Sequence, residues 1–135
     1  MLFRSRCLSA GKFDVYLLQP TNFPAERHLL ELLLLADASR RAGAARLTAL
    51  IPYFGYAGQD RRASGREALG ARLVAEVLSC GGLLGRVVTV DVHTGAIEGF
   101  FKIPIEHLSA VPMLVKSIGD DAGPDRWSSR RIWER

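Results

Sequence analysis

Between Tyr53 and Arg66 the chain reads YFGYAGQDRRASGR, an apolar run that breaks into two tyrosines, an amide, a carboxylate and three arginines. Arginine forks match the oxygens of phosphate groups, so Arg61, Arg62 and Arg66 are candidates for holding a nucleotide or sugar phosphate. Gln59 both donates and accepts hydrogen bonds, which suits a heterocycle or a ribose. Gly55 and Gly58 let the backbone come close to a ligand. The loop runs to about 14 residues where two to six are usual, and loops of that length tend to be functional. A second cluster, Asp91 and His93, closes the run GRVVTVDVH. A divalent ion beside phosphates prefers oxygen ligands, so Asp91 is a candidate ligand, direct or through water, and His93 a metal or phosphate partner. The plainer readings are a solvated arginine-rich loop and a surface histidine. Convergence of the clusters weighs against both.

That convergence depends on the elements between them. FDVYLLQPT is a short β-branched and aromatic run ending at Pro20, read as a buried strand. Asn22 and Pro24 then signal a helix start, a capping side chain followed by proline. Leucines crowd the stretch from Ala25 to Arg41, and Gly43 follows as a C-terminal stop. ARLTALIPY is a second strand. REALGARLVAEVLSCGG is a second helix, with Leu69, Leu73, Val74, Val77 and Leu78 at helical spacing before a glycine pair. GRVVTVDVH is a third strand. Strands alternating with helices predict an α/β domain with a parallel sheet and flanking helices. In open parallel sheets ligands bind beyond the carboxyl ends of the strands. Here those ends deliver Gln19-Pro20-Thr21, the arginine loop, and Asp91 with His93. After Thr94 a short strand within AIEGFFKIPIEHL and a helix from near Ser109 complete the domain, assigned to 1–118. The polar stretch 119–135 reads as a loose tail.

Composition limits the possibilities further. The net charge is +4 and arginine supplies 15 of the 18 basic residues, enough to attract nucleotide phosphates. Cys7 and Cys80 fit no metal or redox spacing, and no stretch resembles a signal peptide or spans a bilayer. The expected setting is cytoplasmic, with no membrane and no nucleic-acid partner. His28 and His107 lack chemical neighbours in sequence and are read as structural or exposed.

Taken in order, VYLLQPT, LLELLLLADASRRAGAARLTALIPYFGYAGQDRR, GREALGARLVAEVL and VDVHTGAIEGFFKIPIEHLSAVPML resemble the N-terminal domain of the ribose-phosphate pyrophosphokinase family, from about Asp14 to Ile118. The resemblance implies a phosphoribosyltransferase-like, Rossmann-like fold. It also implies pyrophosphoryl transfer from Mg-ATP to the 1-hydroxyl of ribose 5-phosphate. Gln59 matches the glutamine of the family's Tyr-Ala-Arg-Gln-Asp-Arg motif, placing Gln59, Asp60, Arg61 and Arg62 in the ATP-binding segment. His93 matches the histidine of Asp-Leu-His, which contacts the Mg-ATP phosphates, and Arg66 and Glu67 match the Arg-Glu after the loop. Mg2+ carried by ATP is the expected cofactor.

The departures are specific. The motif arginine before the glutamine is Gly58 here, which removes a phosphate-binding cation. The family's Phe-Ser-Asp-Gly-Glu segment and first strand-helix unit are expected before Met1. The ribose 5-phosphate loop and catalytic lysine belong to a C-terminal domain not represented in these residues, and Lys12, Lys102 and Lys116 occupy no such motif. Two functions follow as expectations. One is an Mg-ATP-binding half, inactive alone. The other is a non-catalytic module that associates with full-length synthetase subunits. Either is expected to be a homo-oligomer.

Overall fold

A computed structural model of the chain describes residues 13–62 and 65–121, the last three of them by backbone only. Four strands and three helices follow one another: β1 (Asp14–Leu18), α1 (Ala25–Arg41), β2 (Arg46–Ile51), α2 (Gly70–Leu78), β3 (Arg86–Val90), β4 (Ile105–Leu108) and α3 (Val111–Asp121). Short 3-10 turns lie at Cys80–Gly82 and Gly95–Phe100. All strand pairs are parallel and the order is β1-β2-β3-β4.

Side chains alternate across a strand, and the alternation divides this sheet sharply. Leu47, Ala49 and Ile51 of β2 and Val87 and Thr89 of β3 are buried. The apolar ones among them form one core with Leu32 and Ala36 of α1, with Ala71, Val74 and Leu78 of α2, and with Ile97. On the opposite face Tyr16, Leu18 and Leu108 are 54–66% exposed. A sheet of consecutive parallel neighbours thus carries α1 and α2 on a single face. Among the described residues β1 is therefore an edge strand with one open side, where its sequence reads as a buried strand.

The helix ends are settled by local chemistry. Pro24 is the N-cap of α1 and no side chain caps it, so Asn22 does not play that part. The Asn22 carbonyl instead accepts from Nδ1 of His28 at 3.0 Å. At the other end Gly43 has φ 91°, and its N–H donates to the Arg40 carbonyl while that of Ala44 donates to Ser39. This is the paired-bond ending that favours glycine, because only glycine enters the left-handed region freely. α2 turns its small residues inward: Gly70, Ala71, Val74, Ala75 and Leu78 are buried, whereas Leu73 is 61% exposed. α3 reaches Asp121, three residues beyond 118, and the rest of the expected tail lies outside the described residues.

Candidate nucleotide site

The site is built on Thr21, just past β1. Its side chain is fully buried. The Thr21 N–H and hydroxyl both donate to the Tyr53 carbonyl, each at 2.9 Å, and the hydroxyl accepts the Gly55 N–H at 2.7 Å. One residue therefore fastens the start of the loop after β2 to the end of β1. Gly55 is required there, since an added Cβ would overlap the Thr21 carbonyl oxygen. The loop spans residues 52–69, between the end of β2 and the start of α2.

Beyond this anchor the loop and the end of β3 enclose a cleft of about 320 Å³ lined by Tyr53, Phe54, Tyr56, Ala57 and Gly58 on one side and by 90–93 on the other. Tyr56 (φ 64°) and Asp91 (φ 45°) are the two non-glycine residues with positive φ among those described, and both line this cleft. Left-handed backbone costs about 1–3 kcal/mol at such residues and collects at functional sites. The strain is a signal that no spacing pattern contains.

The structure brings His93, Asp91 and Gly58 together and sends the other candidates elsewhere. His93 is exposed at the cleft. Asp91 has a further duty. Its Oδ1 accepts from the Ser109 hydroxyl at 2.8 Å and its Oδ2 from the Ala110 N–H at 3.1 Å. It thereby holds the start of α3. Gln59 faces away from the cleft, into an apolar groove between α1 and α2 where Gly70 leaves room for its amide oxygen. Its carbonyl accepts the Ala71 N–H at 3.2 Å, so Gln59 ties the loop to α2, and the N-terminus of that helix is not part of the cleft. Asp60 is half-buried, and Arg61, Arg62 and Arg66 are exposed. None of the four lines the cleft. Gly58 lines it, and a Cβ there would meet nothing within 4 Å. The position that lacks the motif arginine therefore has space for one.

Among the described residues no three His, Cys, Asp or Glu side chains come together as a metal cage. Mg2+ usually keeps several waters and takes one or two carboxylates plus substrate phosphates. Asp91, whose oxygens each keep a free lone pair, fits that share; a protein-only metal centre does not fit. The resolved charge effects lie at the opposite edge of the sheet. Hydrogen bonding to Arg46 holds the Asp14 carboxyl below its ordinary value, and the same bonds raise the Arg46 guanidinium. Arg86 pairs with Glu106 nearby. His107 is also structural, with its Nδ1 3.0 Å from the Thr89 hydroxyl. No helix of the described residues is long and apolar enough to cross a membrane.

This architecture defines an α/β domain with a cleft at the carboxyl ends of parallel strands. Comparison narrows the class. Residues 9–82 match the family model described as the N-terminal domain of ribose phosphate pyrophosphokinase, and the chain belongs to that family. A ribose-phosphate pyrophosphokinase of Mesorhizobium japonicum is 51% identical over 105 residues, covering 78% of this chain and 33% of the relative. That of Staphylococcus aureus strain N315 is 47% identical over 108 residues, again 33% of its length. In structure, the phosphoribosylpyrophosphate synthetase of Mycobacterium smegmatis matches with a TM-score of 0.76 at 41% identity, over 83% of this chain and 37% of that one. The chain spans about a third of the length of these relatives.

Proposed function

We propose that this chain is the Mg-ATP side of a ribose-phosphate pyrophosphokinase, and that these 135 residues do not make phosphoribosyl pyrophosphate by themselves. The observation that carries the reading is the meeting of Tyr53–Gly58 with Asp91 and His93 across one cleft, although the two segments lie more than thirty residues apart. His93 donates to a phosphate oxygen. Asp91 holds the accompanying Mg2+ directly or through water while keeping α3 in place. Arg61 and Arg62, exposed beyond Gly58, supply the positive charge at the rim, and Asp60 and Gln59 hold the segment in shape. When bound, Mg2+ spreads the charge of the triphosphate. Catalysis of phosphoryl-type transfer is mostly positioning and charge stabilisation, and these residues include neither a ribose 5-phosphate loop nor a lysine in a catalytic motif.

Calorimetric titration with Mg-ATP tests the reading. Binding is expected in the weak range, and His93→Ala should reduce it about tenfold, the loss of one hydrogen bond to a charged group at roughly 1.5–3 kcal/mol. Equal affinity in both proteins would remove His93 from the site. A second reading, association with longer synthetase subunits without catalysis, draws support from Gly58 and from the open face of the sheet. Release of AMP that depends on ribose 5-phosphate and is lost in His93→Ala would exclude it.

A further inference from the structure

Asp91 belongs to two places at once. It lines the nucleotide cleft with His93, and it also stands at the head of α3. Val90 and Leu108 are register partners in β3 and β4, so Asp91 and Ser109 leave the sheet side by side. The Asp91 N–H donates to the Leu108 carbonyl at 2.9 Å. Its Oδ1 accepts from the Ser109 hydroxyl at 2.8 Å and its Oδ2 from the Ala110 N–H at 3.1 Å. The N–H groups that open a helix lack partners within it. Ser109 Oγ takes that of Val111 at 3.3 Å, while Asp91 takes that of Ala110.

These bonds fix a carboxylate more than they hold a helix. Both side-chain bonds are exposed, where water replaces a lost partner and the net stabilisation is small. An aspartate side chain turns freely about its last torsion. With one donor on each oxygen that rotation stops, and each oxygen keeps a lone pair for a cation or its water. The Asp91 backbone is itself left-handed, φ 45°, a costly conformation that must be held from outside. Carboxylates that serve a metal are characteristically hydrogen-bonded in this manner, and loss of such a partner costs about 10–100-fold in metal affinity.

We propose that Ser109 is a positioning residue of the nucleotide cleft. Its hydroxyl, with the Ala110 N–H, sets the plane of the Asp91 carboxylate towards Mg-ATP, and through the same bonds Mg-ATP secures the start of α3. The proposal rests on the Mg-ATP reading of the cleft and adds a coupling to it. Linkage is reciprocal: if the hold on α3 aids binding, binding must tighten that hold by the same factor.

The test is calorimetric titration of the 135-residue chain with Mg-ATP and with ATP plus a chelator. Ser109→Ala should weaken Mg-ATP about tenfold, the low end of the range because the Ala110 N–H remains, and leave metal-free ATP unchanged. Ser109→Thr, which keeps the hydroxyl, should bind as wild type does. Met113→Gly loosens α3 at an exposed position without touching Asp91, and should leave both affinities unchanged. In the wild-type chain Mg-ATP should slow hydrogen exchange at Ala110 and Val111, metal-free ATP should not, and Ser109→Ala should abolish the effect. Mg-ATP binding that falls in His93→Ala but not in Ser109→Ala overturns this inference and leaves the cleft reading intact. Equal losses with and without metal in Ser109→Ala, or the same loss in Met113→Gly, reduce Ser109 to a helix cap and overturn it too. A chain that binds no Mg-ATP, or binds it equally after His93→Ala, overturns the cleft reading and this inference with it.

Discussion

Thr21→Val separates what the Thr21 hydroxyl does from what its volume does. Valine keeps the shape of threonine but has no hydroxyl, so the substitution opens no cavity. The Tyr53 carbonyl keeps the bond from the Thr21 N–H. The Gly55 N–H, whose partner is the hydroxyl at 2.7 Å, is left without it in a buried position. An unsatisfied buried donor costs about 1–3 kcal/mol. Thr21→Ser keeps both side-chain bonds and loses one methyl, at about 0.8 kcal/mol. The order of stability is therefore wild type, then Thr21→Ser, then Thr21→Val. For a chain of 135 residues 1 kcal/mol corresponds to roughly 4 °C in melting temperature, so thermal unfolding resolves the two variants. Hydrogen exchange at Gly55 should accelerate in Thr21→Val and little in Thr21→Ser. A Thr21→Val protein as stable as Thr21→Ser would show that the loop is held by packing, and the anchoring argument would fail.

Gly55→Ala places a methyl group against the Thr21 carbonyl and should destabilise by about 1–3 kcal/mol, as overpacking does; Gly58→Ala, with open space around it, should change stability by less than about 1 kcal/mol, and denaturant titration of the pair checks both. Acid titration tests the Asp14–Arg46 pair. Because the bonded Asp14 carboxyl titrates below its ordinary value of 3.8, its contribution is present above that pH and disappears as pH falls through the lower folded value. The difference in melting temperature between wild type and Asp14→Asn should therefore be small at pH 6, since the pair is exposed, and should shrink towards zero as the carboxyl is protonated in acid. A difference that grows with acidity would contradict the pairing.

Much of this fold is legible in the chain, and the losses have physical causes. Leucine density between Asn22 and Gly43 marks α1 to its ends, because a proline start and a glycine stop are local signals. The alternation of strands and helices gives the parallel sheet, and the sheet gives the shared edge for Thr21, the loop and Asp91. Layering is different. Whether β1 is covered on both faces depends on where its neighbours' helices pass, and VYLLQPT reads the same in either case. In α2 hydrophobic spacing finds Val74 and Leu78, which are buried, but also points to Leu73 and Val77, which are exposed, whereas the rest of the inward side is made of Gly70, Ala71 and Ala75, small residues that let α2 approach the core closely. Gln59 belongs to the expected binding segment by type and position. Its place in the α1–α2 groove goes with the room that Gly70 leaves and with the Ala71 N–H bond to its carbonyl, contacts that no residue pattern announces. Asp91 is found by its place after β3. Its hold on Ser109 and Ala110 joins residues eighteen positions apart, and only the folded chain shows it.

The most direct test of the central claim is Mg-ATP titration of Gly58→Arg beside the wild-type chain. The position lines the cleft, has room for a side chain and has no positive φ to forbid one. One charge-assisted hydrogen bond to phosphate is worth roughly 1.5–3 kcal/mol, so affinity should rise about tenfold or more. The gain should vanish when His93 is also replaced by alanine. If Gly58→Arg binds Mg-ATP no better than the wild-type chain, the cleft between Tyr53–Gly58 and His93 is not where the triphosphate lies.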